Sequence, residues 1–295
     1  MIPKVKFYDL TAAGRRILNE NEVCTFYFDR DNLRARGGMS HIHEQTLLCG
    51  KKVATKGLPA DKPINPENVF YLANEARALA TLLQDKPHPN IIDYFGLVRI
   101  GERPFIIMEL LDEEQDQSSR SLGFPLPVDE VLTIGLGIAK GLHHVHRHGL
   151  THRDVKPSNF VGTKLIDFAF CWKHGLPIVI DGHQHSSGTS SYFSPAIVSG
   201  SEPTIQDDIY SLGVSLFEML SGKSALPPGT DPHISRNLLG SRIADLAICR
   251  GLTPGIAELL FAATKTTPEV GVMRESGFSS CRDVIRFIKS LINVD

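Results

Sequence analysis

Part-way along this chain the pattern of apolar residues changes, and the change limits the architectures open to it. Residues from about 24 to 109 mix short β-like runs, at 24–28, 46–54, 94–99 and 105–109, with one helical stretch. From about residue 128 onward, apolar residues recur at helical spacing over long segments. Such a division predicts an α+β, bilobal fold: a small β-rich N-lobe with one main helix, and a larger, mostly helical C-lobe. Residues 1–24 then read as an N-terminal extension, 25–111 as the N-lobe and 112–295 as the C-lobe of one domain.

The helix of the first part has clear limits. Asn65, Pro66 and Glu67 supply an N-cap, a proline at the first helical position and an early carboxylate that suits the positive helix end. Val69, Leu72, Leu79, Leu82 and Leu83 follow at helical spacing until Pro87. The acidic run 112–119 reads as a solvated linker. Beyond it, residues 128–146 form a long helix ending before Gly149, and 208–221 form another that is apolar on several faces and therefore buried.

Charge and composition exclude other classes. Thirty-one Lys and Arg against 33 Asp and Glu leave no net field to steer the chain toward nucleic acid or anionic lipid. The longest apolar stretches are too short to span a bilayer, and the first residues lack the apolar core of a signal peptide. Five scattered cysteines without a Cys-x-x-Cys pair fit a reducing compartment, so a cytoplasmic location is expected.

The chemistry concentrates in residues 151–159, Thr-His-Arg-Asp-Val-Lys-Pro-Ser-Asn. Asp154 is a carboxylate, Lys156 an ammonium two residues later and Asn159 an amide five residues after the carboxylate; Asp167 follows eight residues beyond. A loop offering base, cation and amide, followed by a second carboxylate, is what metal-dependent phosphoryl transfer requires. This segment resembles the eukaryotic-type protein kinase family, whose H-R-D-x-K-x-x-N run is followed by D-F-G. The resemblance implies that Asp154 orients the acceptor hydroxyl, that Asn159 and Asp167 hold Mg²⁺ and that Lys156 offsets developing charge. Val53-Ala54-Thr55-Lys56 resembles the strand bearing the ATP-binding lysine, and Glu75, nineteen residues on, its ion-pair partner.

Around these, the resemblance extends from about residue 25 to 293. It implies an ATP site formed by Gly37, Gly38, Ser40, Ile42, Ala54, Lys56 and Val161, with Met108 as gatekeeper and Glu109 to Leu111 as the hinge. His152, Arg153, Phe168 and Asp208 are implied as structural support. Residues 188–195 resemble the peptide-positioning loop, with Thr189 near Asp154. Lys156 in its position resembles the Ser/Thr branch, so the expected acceptor is a protein Ser or Thr. Ser186, Ser187, Ser190 and Ser191 are candidate autophosphorylation sites near the cationic Arg153.

Three departures stand out. The phosphate-covering loop falls on residues 35–42 and keeps only Gly37 of the family glycines, with Gly38 beside it and Ser40 at the third position. Ala169 replaces the glycine of D-F-G, and alanine disfavours the positive φ that glycine allows. Ala196 replaces the family acid that pairs with a late arginine, for which Arg274 is the candidate here. These changes mark a divergent member of bacterial, phage-borne or effector type, the last acting in a host cytosol. They also leave open an alternative, a catalytically weak pseudokinase that serves as a binding scaffold.

Overall fold

Antiparallel pairing organises the first part of the chain. In this computed structural model the described residues are 4–7, 24–37, 39–84, 86–111, 125–173, 179–180, 183–184, 188–225, 238–266, 268–269 and 276–292. Strands β1 (Lys4–Phe7) and β2 (Cys24–Tyr27) pair antiparallel. A five-stranded sheet follows, built from β3 (Leu33–Arg36), β4 (His41–Thr46), β5 (Lys52–Gly57), β6 (Tyr94–Ile100) and β7 (Arg103–Met108), in the order β3-β4-β5-β7-β6. Helix α1 (Pro66–Leu82) packs on β6 and β7. Its start follows the expected cap, with Asn65 Oδ1 accepting a 2.8 Å hydrogen bond from Glu67 N. It ends at Leu82, short of Pro87.

The run expected as one strand over 46–54 is two strands and a turn. Gly50, at φ 85°, closes a bend in which its N–H donates to Leu47 O at 2.8 Å. The apolar pairs Leu47-Leu48 and Val53-Ala54 mask that bend in the sequence, because they flank it on both sides. Strand β3, Leu33-Arg34-Ala35-Arg36, alternates apolar and charged residues over only four positions and carries no β-branched or aromatic side chain to mark it as a strand. It is an exposed edge, and Arg34 on it forms an ion pair with the buried Glu44 of β4, which Lys52 of β5 also meets at 2.8 Å. One face of the sheet carries Val53, Phe95, Phe105 and Ile107, packed with Phe26 and Phe28 from before β3. Phe28 meets Phe105 edge-on, ring centroids 4.8 Å apart. Gly57 permits this packing, since a Cβ there would lie 2.2 Å from the Phe105 ring.

Helices dominate the rest of the described chain: α2 (Val128–Arg147), α3 (Pro195–Val198), α4 (Ile205–Ser221), α5 (Leu239–Arg250), α6 (Pro254–Thr264) and α7 (Cys281–Ile292). Helix α2 packs on α4 and α7, and α4 packs on α6. They meet closely at Gly135, where a Cβ would stand 2.9 Å from Leu216 and 3.5 Å from Ile288. Helix α4 is buried on several faces, as its composition requires. It begins at Ile205, three residues before the expected start, because Thr204 and Asp207 form a reciprocal capping box. Short strands β8 (Leu150–Thr151), β9 (Phe160–Val161), β10 (Lys164–Leu165) and β11 (Trp172–Lys173) form two small antiparallel pairs.

The chain groups into two units. Residues 1–113, 167–171 and 179–183 form the first, and residues 114–166, 172–178 and 184–295 the second. The mixed α+β composition, a sheet with one main helix in the first unit and mostly helices in the second, matches the expected fold class. Among the described residues no helix is long and apolar enough to cross a membrane.

Candidate active site

Within the first unit, β-sheet geometry places one set of expected residues together. Ile42 stands opposite Lys56, and Ala54 opposite Met108, in adjacent antiparallel strands. Opposed residues share a face, and so do residues two apart along a strand. Ile42, Ala54, Lys56 and Met108 therefore lie on one face of the sheet, opposite the Phe105 and Ile107 side. At the end of β7 the chain is held by Glu109, whose N–H donates to Asp93 O at 2.9 Å and whose carboxylate accepts from Asp93 N at 3.1 Å. Leu111 after it is half-buried.

Lys56 Nζ is the centre of a buried ion cluster. It lies 2.9 and 2.7 Å from the two Glu75 oxygens and 3.0 Å from Asp167 Oδ1. Burial disfavours its ammonium, yet the Asp167 and Glu75 carboxylates outweigh that and hold its pKa above the ordinary Lys value. Glu75, on α1, also receives a long 3.4 Å hydrogen bond from Phe168 N. Asp167 keeps a third of its side-chain surface exposed.

The left-handed residue is Asp167, at φ 61°, and Ala169 has no positive φ. Asp tolerates that region better than most residues, so the alanine meets no strain. Its methyl group instead packs with Tyr71, beside Met39, Phe70 and Phe170.

The turn between β3 and β4 carries the expected phosphate-facing residues. Gly37 N donates to Ser40 O at 2.8 Å, and a Cβ on Gly37 would come to 3.0 Å from that oxygen. Gly38 lies outside the described residues. A cavity of about 90 Å³ is bounded by Gly37, Ser40, Lys56, Glu75, Asp167 and Ala169.

In the second unit, a buried carboxylate on α4 shapes the loop that bears Asp154. Asp208 accepts from His152 N at 2.8 Å and Arg153 N at 2.9 Å, and His146 Nε2 lies 2.8 Å from it. Although burial opposes ionisation, the His146 contact, the nearby His152 and the backbone N–H groups hold Asp208 below the ordinary Asp pKa. The two backbone bonds fix Arg153 in a left-handed conformation, φ 69°, which turns the chain into Asp154. His152 and, in the first unit, Phe168 are fully buried.

Asp154 is itself buried and fully engaged. Oδ1 accepts from Thr189 N at 3.0 Å and Thr189 Oγ1 at 2.8 Å. Oδ2 accepts from Asn159 Nδ2 at 3.0 Å and lies 2.6 Å from Lys156 Nζ, which also donates to Thr189 Oγ1 at 2.6 Å. Gly188 allows this approach: at φ 130°, a Cβ there would sit 2.6 Å from Arg153 O. Asn159 spends its second amide hydrogen on Asp154 O at 2.7 Å, so its Oδ1 remains as an oxygen donor. Val161 is buried in the β9–β10 hairpin two residues on.

Other expected positions vary in placement. Ser190 is exposed and Ser191 half-buried in a short 3₁₀ turn; Ser186, Ser187 and Arg274 lie outside the described residues, as does the acidic run 112–119. Ala196 is exposed, and the preceding Ser194 hydroxyl donates to Asp207 of α4. Met39, Tyr71 and Asn74 join the site without any signal in the sequence, because no pattern distinguishes them from ordinary turn and helix residues.

The protein kinase domain family model matches residues 36–295. The chain is 29% identical over 251 residues to a probable serine/threonine-protein kinase PBL28 of Arabidopsis thaliana, covering 76% of this chain and 64% of that one. It is 32% identical over 195 residues to a probable serine/threonine-protein kinase PknB of Lactococcus lactis, covering 64% and 30%. Against the serine/threonine-protein kinase PknK of Mycobacterium tuberculosis it is 32% identical over 228 residues, 72% of this chain and 20% of the relative. The chain thus spans less than two thirds of the length of the curated relatives it matches.

Proposed function

We propose that this chain, which belongs to the protein kinase domain family, transfers the γ-phosphate of ATP to Ser or Thr hydroxyls of proteins in the presence of Mg²⁺. The observation that carries the reading is the buried Lys56–Glu75–Asp167 cluster, with contacts of 2.7 to 3.0 Å. A buried cation held by two carboxylates is retained at a cost in desolvation, which a purely structural role would not require. The serine/threonine-protein kinase names of the relatives support the acceptor class.

In this reading Lys56, anchored by Glu75, positions the ATP phosphates, with the Gly37–Ser40 turn covering them and the Ile42, Ala54 and Met108 face receiving the base beside Glu109 and Leu111. Asp154 accepts or orients the proton of the incoming hydroxyl, after Thr189 yields one of its bonds. Lys156 stabilises charge developing on the transferred group. Asp167 offers a part-exposed carboxylate and Asn159, within its own unit, a carbonyl oxygen, each the kind of oxygen ligand that a hard divalent cation takes. When bound, Mg²⁺ would neutralise phosphate charge. The exposed Ser190 is the described site best suited to autophosphorylation, and a cytoplasmic setting suits the free cysteines.

Radiolabel transfer from ATP with Mg²⁺ tests the reading, using a generic basic acceptor protein. Asp154→Asn keeps the side-chain size and should lower the rate by about 10²–10⁴-fold, the range for loss of a general base. Label on Ser or Thr that disappears in the variant is the expected result. Undiminished nucleotide binding with no label in either protein would replace the enzyme by a scaffold.

A further inference from the structure

We infer that Asn74 is a positioning residue that latches the segment 167–171 to helix α1 and so holds Asp167 beside Lys56. The inference rests on the proposed phosphoryl transfer for its consequence, but the latch itself is geometric. Tyr71, Asn74 and Glu75 lie three and four residues apart and therefore share one helix face. That face grips the segment at successive points. Glu75 receives Phe168 N, Asn74 Nδ2 donates to Ala169 O at 2.9 Å and to Cys171 O at 2.8 Å, and Tyr71 meets the Phe170 ring edge-on at 4.9 Å.

The two Asn74 bonds use both hydrogens of one amide nitrogen on two backbone carbonyls of the same short run. Only a carboxamide of this length matches those acceptors, since aspartate would bring a third acceptor to two carbonyls and an aliphatic side chain would bring no donor. Ala169 and Cys171 are both buried, so their carbonyls are poorly placed to turn to water instead. The segment is also tightly turned, with Cys171 N donating to Phe168 O at 3.1 Å. Asp167, immediately before this turn, sits in a left-handed conformation, which Asp tolerates better than most residues but still at some cost. A strained residue persists where its surroundings over-determine it, and here the surroundings are Lys56 and the α1 face. With the Asn74 bonds removed, the carboxylate keeps its charge but loses the backbone frame that aims it.

The experiment compares the full chain with Asn74→Leu, which is similar in size and lacks donors, and with the milder Asn74→Ser. Ala80→Gly, at an exposed position of the same helix away from the segment, supplies a variant with comparable loss of helix stability. Amide hydrogen exchange at residues 168–171 is the primary reading. Asn74→Leu should raise exchange there about tenfold, the factor corresponding to 1.36 kcal/mol, and Ala80→Gly should not. In the transfer assay Asn74→Leu should lower kcat about tenfold and raise the Mg²⁺ concentration needed, while KM for the acceptor stays unchanged. Should Asn74→Leu fail to fold, Asn74→Ser carries the same contrast, with a smaller shift. Exchange at 168–171 no faster in the Asn74 variants than in Ala80→Gly would overturn the latch. A wild-type chain that transferred no phosphate would remove the kinase reading, while the exchange contrast would still decide whether Asn74 holds the segment.

Discussion

Asp208 is a single buried charge whose oxygens are used by two backbone N–H groups and a histidine ring. Its replacement by alanine leaves those donors buried without their acceptor. The loss should be about 3 kcal/mol near neutral pH, in the range for breaking a buried, hydrogen-bonded charge network. The pH dependence follows from its depressed pKa. A carboxylate whose folded pKa lies below its unfolded value of 3.8 contributes stability fully present above that value, and loses it as pH falls through the folded pKa. Urea unfolding of wild type and Asp208→Ala should thus show a constant gap down to about pH 5 and a narrowing gap below 3.8. A gap independent of pH through that window would mean that the carboxylate is not what the loop depends on.

Between elements, fit can outweigh propensity. Helix α4 carries Gly213 where it packs on α6, and a Cβ there would come within 2.8 Å of both the Ala263 methyl and Thr264 Cγ2. Alanine is the better helix former by about 1 kcal/mol, but overpacking of a close interface costs about 1–3 kcal/mol. Gly213→Ala should therefore lower stability by about 1 kcal/mol, as read by urea unfolding. A stabilised variant would show that the two helices separate without penalty. The α4 helix was legible from its apolar composition, and α1 from its cap, since both signals are local. The crowding at Gly213 was not, because its partners lie fifty residues downstream. Strand β3 carries only a weak signal, because its alternation runs for four residues and includes no β-branched or aromatic side chain. At the candidate site, Lys56, Asp154, Asn159 and Asp167 stood out by type and spacing. Asn74 did not, since its meaning comes from two carbonyls that the fold brings to it from nearly a hundred residues away.

At the scale of the whole molecule, the first unit draws part of its core from outside the stretch that defines the family. The family match begins at residue 36, yet Phe26 and Phe28 are buried with Val53, Phe95, Phe105 and Ile107. Phe26 is also bridged to Leu47, at the turn between β4 and β5, so this upstream strand closes one face of the sheet. Deleting one buried phenylalanine side chain typically costs about 3–5 kcal/mol, and a domain holds only about 5–15 kcal/mol in total. Loss of both aromatic rings together is therefore comparable with everything that keeps the first unit folded. A chain shortened to residues 36–295 should lack slow-exchanging amides in β4, β5 and β7, whereas one beginning at residue 24 should retain them. Phe26→Ala in the full chain should lie between, with exchange in those strands faster and nucleotide binding weakened, because Lys56 is presented by the middle strand of the same sheet. If the shortened chain protected those amides as well as the full one, the sheet would owe its stability to the α1 side alone, and the upstream strand would be dispensable packing.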